Sequence, residues 1–380
     1  MRHFSLFLIL SLLLAGCAPA QPAVSPDMTF PSPTEAPTLA TEPPAPTDPM
    51  DALLASMTVE EKVGQLFLAR CPAEGAMEDL LAYHLGGYLL FGQDFDNETP
   101  DSLRQTLTAW QCAAPIPLLI AVDEEGGTVC RVSSHSAFRS RRFPSPRESY
   151  AAGGMEQVLS TETEKAALLS GLGINVNMGP ICDIATNAGS FMYRRSLGHT
   201  PEETGRFASA TVQIYGNHRL GSVLKHFPGY GNNADTHTDI ITDRRSLEEL
   251  EETDLLPFSA GISAGADAIL VSHTIVTAMD AEYPASLSPA VHDYLRREMG
   301  FEGVIVTDDL VMEAITESYG AEEAAVLAVL AGNDLLCSSE YRIQYPAVLA
   351  AVESGRISME QLDESVMRIL QWKRELGLIF

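Results

Sequence analysis

FEGVIVTDDL, residues 301–310, is an apolar run that leads directly into two adjacent acids. Valine and isoleucine favour β-structure, and a strand that is apolar at consecutive positions is typical of a sheet covered on both faces. Side chains that follow each other along a strand point to opposite sides, so only one acid can share the phase of Val304 and Val306. That acid is Asp308, which we expect to face the interior of the fold, while Asp309 faces the surrounding helices.

Seven further apolar runs of this kind occur along the chain, and segments of helical period separate them. The runs are VGQLFLAR from Val63, GGYLLFG from Gly86, IPLLIAVDEEGG from Ile116, INVNMGPICDIA from Ile174, GSVLKHF from Gly221, DAILVSH from Asp267 and DLLCSS from Asp334. The helix candidates include residues 155–170, 201–215, 247–264 and 321–330, and most of them open with Asp, Thr, Ser or Pro. Eight strands that alternate with helices predict an α/β fold, a (β/α)8 TIM-like barrel. A doubly wound open sheet would give a similar pattern and is the alternative.

Most of the predicted strands end in charged or hydrogen-bonding residues. These are Arg70, Asp123, Asp183, Lys225, His226, His273, Asp308, Asp309 and Ser338. In a parallel barrel the carboxyl ends of the strands share one rim, where active sites are built. A sugar suits such a rim because each hydroxyl both donates and accepts hydrogen bonds. Simpler roles stay open for some of these residues: Asp183 or Asp309 could cap the following helix, and His273 could be a buried structural histidine.

A second dense segment is KHFPGYGNNADTHTDI, residues 225–240. Lys225 and His226 end a predicted strand, and Asp235 and His237 lie in the loop that follows. Asp235 and His237 can pair only if the loop turns, and the residues GNNAD are turn formers. His226, Asp235 and His237, together with Asp308, could also hold a metal ion, so a metal hydrolase is one alternative.

Several motifs together resemble those of glycoside hydrolase family 3, specifically its single-domain β-N-acetylhexosaminidases. The motifs are KHFPGxG…DxH, DEEGGTVCR, RRSLG, FEGVIVTDDLVMEAI and AGNDLL, in the expected order between Met57 and the C-terminal ILQWKRELGLIF. The resemblance implies a retaining hydrolase that releases terminal N-acetyl-β-hexosamine through a covalent glycosyl-enzyme intermediate, without a cofactor.

The resemblance also implies roles for individual residues. Asp308 would be the nucleophile, His237 the general acid/base and Asp235 the carboxylate partner of that histidine. A histidine suits this role because its ordinary pKa of about 6.5 lets it give and accept a proton near neutral pH, and a neighbouring carboxylate stabilises the imidazolium. The implied sugar-binding residues are Asp123, Arg131, Arg195, Lys225 and His226.

The chain departs from the family pattern in two motifs. The usual GHGD reads GYGN, which places Tyr230 and Asn232 at a histidine and an acid, and the stretch before Asp235 is one residue shorter. The usual EGGRV reads EGGTV, with Thr128 at the arginine. A catalytically weak or inactive sugar-binding lipoprotein therefore stays an alternative, as does a β-glucosidase or phosphorylase variant. Many β-glucosidases take their acid from a domain after the barrel, so the end of this chain at Phe380 favours the N-acetylglucosaminidase.

The N-terminus predicts export. Residues 1–17, MRHFSLFLILSLLLAGC, combine a basic start with an apolar run too short to cross a bilayer, which is typical of a signal peptide. LAGC resembles a bacterial lipobox and predicts lipidation of Cys17, with ordinary secretion as the alternative. Residues 18–49 are a Pro/Thr-rich linker that we expect to be a disordered tether, and residues 50–380 are the predicted barrel domain.

The composition of the chain limits the classes of ligand that we expect it to bind. The formal net charge of -27 and pI near 4.6 argue against nucleic acid and anionic lipid as ligands, since both are polyanions. Apart from Cys17, five cysteines show no metal-binding spacing, so we expect no metal site; any disulfide pairing among them is undetermined. We expect a monomer held by its lipid anchor alone on the outer face of the bacterial cytoplasmic membrane, with another envelope membrane as the alternative. Its expected substrate is a muropeptide or another amino-sugar oligosaccharide.

Overall fold

The structure is a computed structural model that describes residues 48–233 and 241–380. The predicted signal peptide with Cys17 lies outside the described residues, and so do Asp235 and His237. The described residues belong to one compact unit. Within the described residues, no helix combines the length and the apolar character that crossing a membrane requires.

The centre of the fold is a barrel of eight parallel strands. The strands are β1 Phe67–Arg70, β2 Gly87–Leu90, β3 Leu119–Val122, β4 Val176–Asn177, β5 Gly221–Phe227, β6 Ala268–Val271, β7 Val304–Thr307 and β8 Leu336–Ser338. Each strand pairs with its neighbour in the chain from β1 to β7, and β8 pairs with β1. A parallel bridge between Val306 and Leu335 joins β7 to the start of β8 and completes the ring. The predicted TIM-like barrel is confirmed.

Helices occupy the connections between the strands, as expected for this architecture. They are α1 Pro49–Ser56, α2 Val59–Gln65, α3 Ala76–Tyr83, α4 Pro100–Ala113, α5 Pro146–Leu172, α6 Pro201–Asn217, α7 Leu247–Glu252, α8 Leu255–Ser263, α9 Pro289–Asp293, α10 Glu313–Tyr319, α11 Ala321–Ala331, α12 Tyr341–Glu353 and α13 Met359–Glu375. Short 3-10 turns lie at Gly92–Phe95 and Ala285–Leu287, and a π-helical turn lies at Tyr294–Glu298. Four α-helices begin with a side-chain capping box, for example Ser145 with Glu148 at the start of α5.

Two predicted boundaries were wrong. The run from Val63 was expected to be a strand throughout, but residues 63–65 end α2 and the strand begins only at Phe67. The helix predicted over residues 247–264 is interrupted at Thr253, whose backbone is not helical. The interruption places Asp254 beside Arg245, and the two side chains form an ion pair there.

Two small sheets lie beyond the barrel strands. Glu124–Gly126 pairs antiparallel with Val129–Cys130, and Thr242–Asp243 pairs parallel with Ile275–Val276. The first of these sheets follows β3 directly, so it extends the rim of the barrel at the carboxyl end of that strand. The fold thereby places the DEEGG segment where a TIM-barrel enzyme carries its active site.

Candidate active site

A pocket of about 630 Å³ opens at the carboxyl ends of the barrel strands. This volume is within the range of small-ligand sites. Six of the residues predicted to form the site line it: Asp123, Arg131, Arg195, Lys225, His226 and Asp308. The fold therefore gathers residues that are up to 185 positions apart in the chain (308 minus 123) into one cavity.

Two cations and two carboxylates form a paired cluster in this pocket. The ammonium of Lys225 bonds Asp123 Oδ1 at 2.6 Å and lies 2.8 Å from Glu125 Oε1. Arg195 holds the same Glu125 with two hydrogen bonds, from Nε to Oε2 at 2.8 Å and from Nη2 to Oε1 at 2.7 Å. Such forked pairing fixes both side chains in position as well as in charge. The cluster can therefore present oriented donors and acceptors to the hydroxyls of a sugar.

The pairing keeps these buried groups ionised. Burial alone would raise the pKa of Glu125, but the charges of Arg195 and Lys225 outweigh it and hold that pKa well below its usual range. Burial alone would lower the pKa of Lys225, but Asp123 and Glu125 raise it above its ordinary value. Both groups therefore carry their charge across the neutral pH range.

Sequence reasoning missed Glu125. The DEEGG motif was interpreted through Asp123 alone, although Asp123 and Glu125 are two positions apart. Residues at this spacing share one side of a strand, and Glu124–Gly126 is indeed a short strand. The alternation of side chains along DEEGG is therefore the signal that could have identified Glu125.

Glu124, on the other side of this strand, holds the loop that carries Arg131. Its Oε2 accepts hydrogen bonds from the backbone amides of Arg131 at 2.9 Å, Val132 at 2.7 Å and Ser133 at 3.3 Å. The Ser133 hydroxyl donates to the other carboxylate oxygen. Because Glu124 is fully buried, these bonds satisfy a charge that has no access to water. Glu124 thus fixes the backbone position from which Arg131 reaches the pocket.

Asp183 orients the neighbouring histidine. Its Oδ2 accepts from Nδ1 of His226 at 2.8 Å and from the His226 backbone amide at 3.0 Å, while Oδ1 accepts from the Tyr230 amide at 2.8 Å. Nε2 of His226 lies 3.2 Å from Nη2 of Arg195, which can only donate. This hydrogen-bond pattern assigns a neutral imidazole with its proton on Nδ1. Asp183 therefore positions the site instead of capping a helix.

Lys225 and His226 both line the pocket although they are neighbours on β5. In a regular strand, adjacent side chains point to opposite faces. The register between β5 and β6 shifts between Leu224 and Phe227, so the ladder is irregular at this pair. Such irregularities re-aim side chains beside active sites.

The two acids that follow β7 lie at the same pocket. Asp308 and Asp309 both line the pocket, and Asp308 Oδ1 accepts from the Asp309 amide at 2.9 Å. The prediction that Asp309 faces the surrounding helices is wrong, because its carboxylate bonds the Ser339 amide at 3.1 Å and the Ser339 hydroxyl just beyond β8. Burial raises the pKa of Asp309, and these bonds oppose the shift only in part. Strand alternation ends at Thr307, the last residue of β7, so it does not govern either acid.

His273 has a structural position. It is fully buried, with Nδ1 2.7 Å from the Ser286 hydroxyl and Nε2 3.0 Å from the Asp309 carbonyl oxygen. These contacts tie the segment after β6 to the segment after β7. Of the two roles considered for His273, the geometry supports the buried structural histidine.

The altered GYGN motif, residues 229–232, is hydrogen-bonded to a neighbouring segment of the site. Oδ1 of Asn232 accepts from the amides of Thr186 at 2.9 Å and Asn187 at 2.8 Å. The Tyr230 ring is buried and stands edge-on to the His226 ring, with centroids 5.3 Å apart. The residues that depart from the family pattern are therefore integrated into the wall of the site.

The two flanks of this loop are also joined. Nδ2 of Asn233 donates to Oδ2 of Asp243 at 3.0 Å, across the segment that contains Asp235 and His237. Arg245 in turn bonds Asp243 Oδ2 at 2.6 Å and pairs with Asp254. The residues on either side of positions 234–240 are thus held together.

The remaining chemistry of the described residues is simple. Residues 48–233 and 241–380 contain no group of three or more His, Cys, Asp or Glu side chains arranged to hold a metal ion. The metal-hydrolase alternative depends on Asp235 and His237, which lie outside these ranges. The five described cysteines are free thiols: Cys71, Cys112, Cys130, Cys182 and Cys337.

Comparisons with known proteins agree with this arrangement. A family model described as "Glycosyl hydrolase family 3 N terminal domain" matches residues 58–372. The chain is 31% identical over 333 residues to beta-hexosaminidase LpqI of Mycobacterium tuberculosis, covering 84% of each protein. It is 34% identical over 293 residues to a beta-hexosaminidase of Tolumonas auensis, covering 75% of this chain and 84% of that one.

A solved structure shows the same likeness in three dimensions. The glycoside hydrolase family 3 beta-N-acetylglucosaminidase from Paenibacillus sp. str. FPU-7 matches with a TM-score of 0.79 and 34% sequence identity. The match covers 85% of this chain and 63% of that chain, so this protein spans just under two thirds of that structure. Because the family model covers well over half of the sequence, the chain belongs to glycosyl hydrolase family 3.

Proposed function

We propose that this protein is a retaining β-N-acetylhexosaminidase that releases terminal N-acetylglucosamine from amino-sugar oligosaccharides. The observation that carries the proposal is that Asp308, after β7, lines the same pocket as the paired cluster of Lys225, Asp123, Glu125 and Arg195. A carboxylate beside fixed hydrogen-bonding groups is what a retaining glycosidase needs to attack a held sugar. The beta-hexosaminidases among its relatives support the amino sugar as substrate.

The proposed reaction has two steps. A carboxylate oxygen of Asp308 attacks the anomeric carbon, the glycosidic bond breaks, and His237 gives its proton to the leaving oxygen. His237 then takes a proton from water, whose oxygen attacks the anomeric carbon and releases Asp308. Asp235 stabilises the imidazolium before the first step and after the second.

The described residues supply the binding part of this scheme. The bidentate pair of Arg195 and Glu125 fixes donors and acceptors before the substrate arrives, so little reorganisation is needed at the moment of reaction. The neutral tautomer assigned to His226 lacks a proton on Nε2, which suits a binding role better than proton donation. Proton transfer is therefore left to His237 on the loop whose flanks Asn233 and Asp243 join.

We also propose peptidoglycan fragments as the natural substrate and the outer face of the cytoplasmic membrane as the location. The support is the lipobox at Cys17 and the tether of residues 18–49, which together would place the barrel outside the membrane, where N-acetylglucosamine linkages of the cell wall occur. The Pro/Thr-rich tether has the composition of an extended spacer, so the enzyme could act at a distance from its anchor.

A panel of aryl glycosides tests the activity. Release of the aryl alcohol from an aryl N-acetyl-β-glucosaminide should greatly exceed release from the matching β-glucoside, and it should fall by at least about a thousandfold in Asp308→Ala and strongly in His237→Ala. Asp293→Ala, an exposed acid outside the pocket, is the matched control. Binding without hydrolysis would identify an inactive sugar-binding protein. Release that depends on inorganic phosphate and yields a sugar 1-phosphate would identify a phosphorylase.

A further inference from the structure

Four polar side chains form a buried network outside the pocket. Glu162 and Lys165 lie on α5, Tyr215 lies on α6, and Asn177 ends β4. Each of the four residues is at most 3% exposed. None of the four is among the described residues that line the pocket. This set, the buried network, therefore has no part in the two-step reaction proposed for Asp308.

The ammonium of Lys165 connects the buried network to the main chain of Glu125. It donates to the two carboxylate oxygens of Glu162, at 2.7 and 2.9 Å, and to the carbonyl oxygen of Glu125 at 2.9 Å. These bonds use all three protons of the ammonium. Lys165 thus holds Glu125 by its main chain, while the carboxylate of Glu125 pairs with Arg195 and Lys225 in the pocket.

Tyr215 and Asn177 connect the buried network to the residue before Glu125. The Tyr215 hydroxyl donates to Glu162 Oε2 at 2.7 Å and accepts from Nδ2 of Asn177 at 2.8 Å. The Asn177 amide group also donates to the Glu124 carbonyl oxygen at 3.2 Å and accepts from the Glu124 backbone amide at 3.0 Å. Burial and the charge of Glu162 raise the pKa of Tyr215 far above its ordinary value, so the hydroxyl keeps the proton that it donates.

Stability alone does not account for the buried network. The desolvation of a buried ion pair, such as that of Lys165 with Glu162, opposes the attraction between the charges, and well-packed apolar residues often give equal or greater stability. Apolar residues, however, cannot direct hydrogen bonds to particular backbone atoms. The bonds to the main chain of Glu124 and Glu125 therefore indicate that the position of this strand matters.

The position of Glu125 decides the geometry of the paired cluster. Its carboxylate accepts two hydrogen bonds from Arg195 and lies 2.8 Å from the ammonium of Lys225, and forked bonding of this kind requires a defined geometry. A misplacement of about 1 Å near a reacting centre can lower a rate by about 100-fold. The strand that carries Glu125 has only three residues, Glu124–Gly126, so its position depends on its surroundings.

We propose that Lys165 is a positioning residue for the paired cluster, with Glu162 and Tyr215 as its supports. Lys165 fixes the place of Glu125, and Glu125 in turn orients the guanidinium of Arg195. This inference rests on the proposed function and extends it to residues that the substrate does not contact. Loss of the Lys165 ammonium should therefore lower activity through Glu125.

Two lysine variants test this role in the full-length protein. Lys165→Met should lower kcat/KM for an aryl N-acetyl-β-glucosaminide by about 10- to 100-fold, because the main chain of Glu125 is no longer fixed. Lys373→Met is the matched control, since it makes the same substitution at a fully buried lysine that bonds Gln65 outside the pocket. The control should leave kcat/KM unchanged.

A milder pair of variants carries the test if Lys165→Met does not fold. Tyr215→Phe keeps the packing of the ring and removes only the hydroxyl, so kcat/KM should fall by about threefold to tenfold. Tyr88→Phe removes a hydroxyl that donates to the Ala76 carbonyl oxygen from a buried ring on β2, and it should leave kcat/KM unchanged. Equal kcat/KM values for the two tyrosine variants would overturn the inference.

A double-mutant cycle distinguishes positioning from a general structural role. In a Glu125→Gln background, adding Lys165→Met should change kcat/KM by less than about threefold, because the group that Lys165 positions is already altered. If the two losses multiply instead, Lys165 acts independently of Glu125 and the inference is overturned. A lower Tm of Lys165→Met with the kcat/KM of wild type would overturn it as well.

Hydrogen exchange keeps this test separate from the proposed function, because it needs no substrate. Backbone amides in peptides that span residues 123–131 should exchange faster in Lys165→Met than in wild type at a temperature well below both Tm values. Exchange in these peptides should be unaltered in Lys373→Met. Failure of wild type to hydrolyse the aryl N-acetyl-β-glucosaminide would contradict the proposed function alone. Unchanged exchange in Lys165→Met would overturn the inference, whatever the activity.

Discussion

Arg195 and Glu125 are joined by two hydrogen bonds of 2.8 and 2.7 Å, and the same carboxylate lies 2.8 Å from the ammonium of Lys225. Two cations thus depend on one buried carboxylate, which is 4% exposed. The arrangement makes Glu125 the centre of the paired cluster in the pocket, although it need not contact the reacting atoms. Its ionisation is secured by its partners, so the cluster keeps its form over a wide pH range.

Replacing the central carboxylate should damage both binding and stability. Glu125→Gln leaves the buried charges of Arg195 and Lys225 only partly compensated, which should lower the free energy of unfolding by about 3 kcal/mol and kcat/KM by about 100-fold. Thermal melts and steady-state kinetics measure the two effects. Glu164→Gln, which breaks an exposed pair with Arg139, should cost less than about 1 kcal/mol and leave kcat/KM unchanged. Equal effects of the two substitutions would contradict the role assigned to Glu125.

Asp183 should act on activity through His226. Asp183→Asn weakens the acceptor of the Nδ1 proton, so the ring can rotate or change tautomer, and kcat/KM should fall by about 10- to 100-fold. Asp280→Asn weakens a similar acceptor of backbone amides outside the pocket and serves as the control. A loss of thermal stability with an unchanged kcat/KM would show that Asp183 is only structural.

The bridge between Asn233 and Asp243 should matter most for poor leaving groups. Asn233→Ala releases the two flanks of the loop that carries the proposed general acid, so protonation of the leaving oxygen should suffer. We expect kcat/KM to fall about tenfold or more for alkyl or sugar aglycones and much less for a nitrophenol, which leaves without help. Asn217→Ala, at the exposed end of α6, is the control. A uniform decrease across leaving groups would argue against this role.

Lys373 should make stability depend on pH at neutral to alkaline values. It is fully buried, donates to Gln65 Oε1 at 2.6 Å, and burial lowers its pKa to about 7. The unfolded chain keeps this proton up to about pH 10, so it binds more protons than the native state between these values, and the free energy of unfolding rises with pH there. Lys373→Met should remove this rise, so the Tm difference, variant minus wild type, should be larger at about pH 6 than at about pH 9. Thermal melts at the two pH values measure this Tm difference. The same difference at both pH values would contradict the prediction.

The barrel could be predicted because its strands are short, apolar and separated by segments of helical period. Strands such as Leu119–Val122 are buried at every position, so they appear in the sequence as uninterrupted apolar runs. The boundaries of the helices and strands were harder to predict. The amphipathic turn at residues 63–65 is compatible with either a helix end or a strand start, and only packing selects the helix.

Site residues that follow directly after a predicted strand could be identified from the sequence. Residues whose role depends on pairing with a distant residue could not. Lys225, His226 and Asp308 were identified from their place after apolar runs. Glu125 was missed because its importance comes from Arg195, 70 positions away; alternation along DEEGG could have placed Glu125 beside Asp123, but it does not reveal this pairing. The predicted orientation of Asp309 was wrong because the alternation of side chains holds only within a strand, and β7 ends at Thr307.

The central claim, that Asp308 is the nucleophile of a retaining glycosidase, is tested most directly by trapping the intermediate. The protein is incubated with a 5-fluoro N-acetyl-glucosaminyl fluoride, whose fluorine slows the second step, and the mass of the intact chain and of its peptides is measured. We expect one added N-acetyl-fluoroglucosaminyl unit, mapped to the peptide that contains Asp308 and absent in Asp308→Asn. A label on any other residue, or a native enzyme that hydrolyses its substrate without retention of anomeric configuration, would contradict the claim.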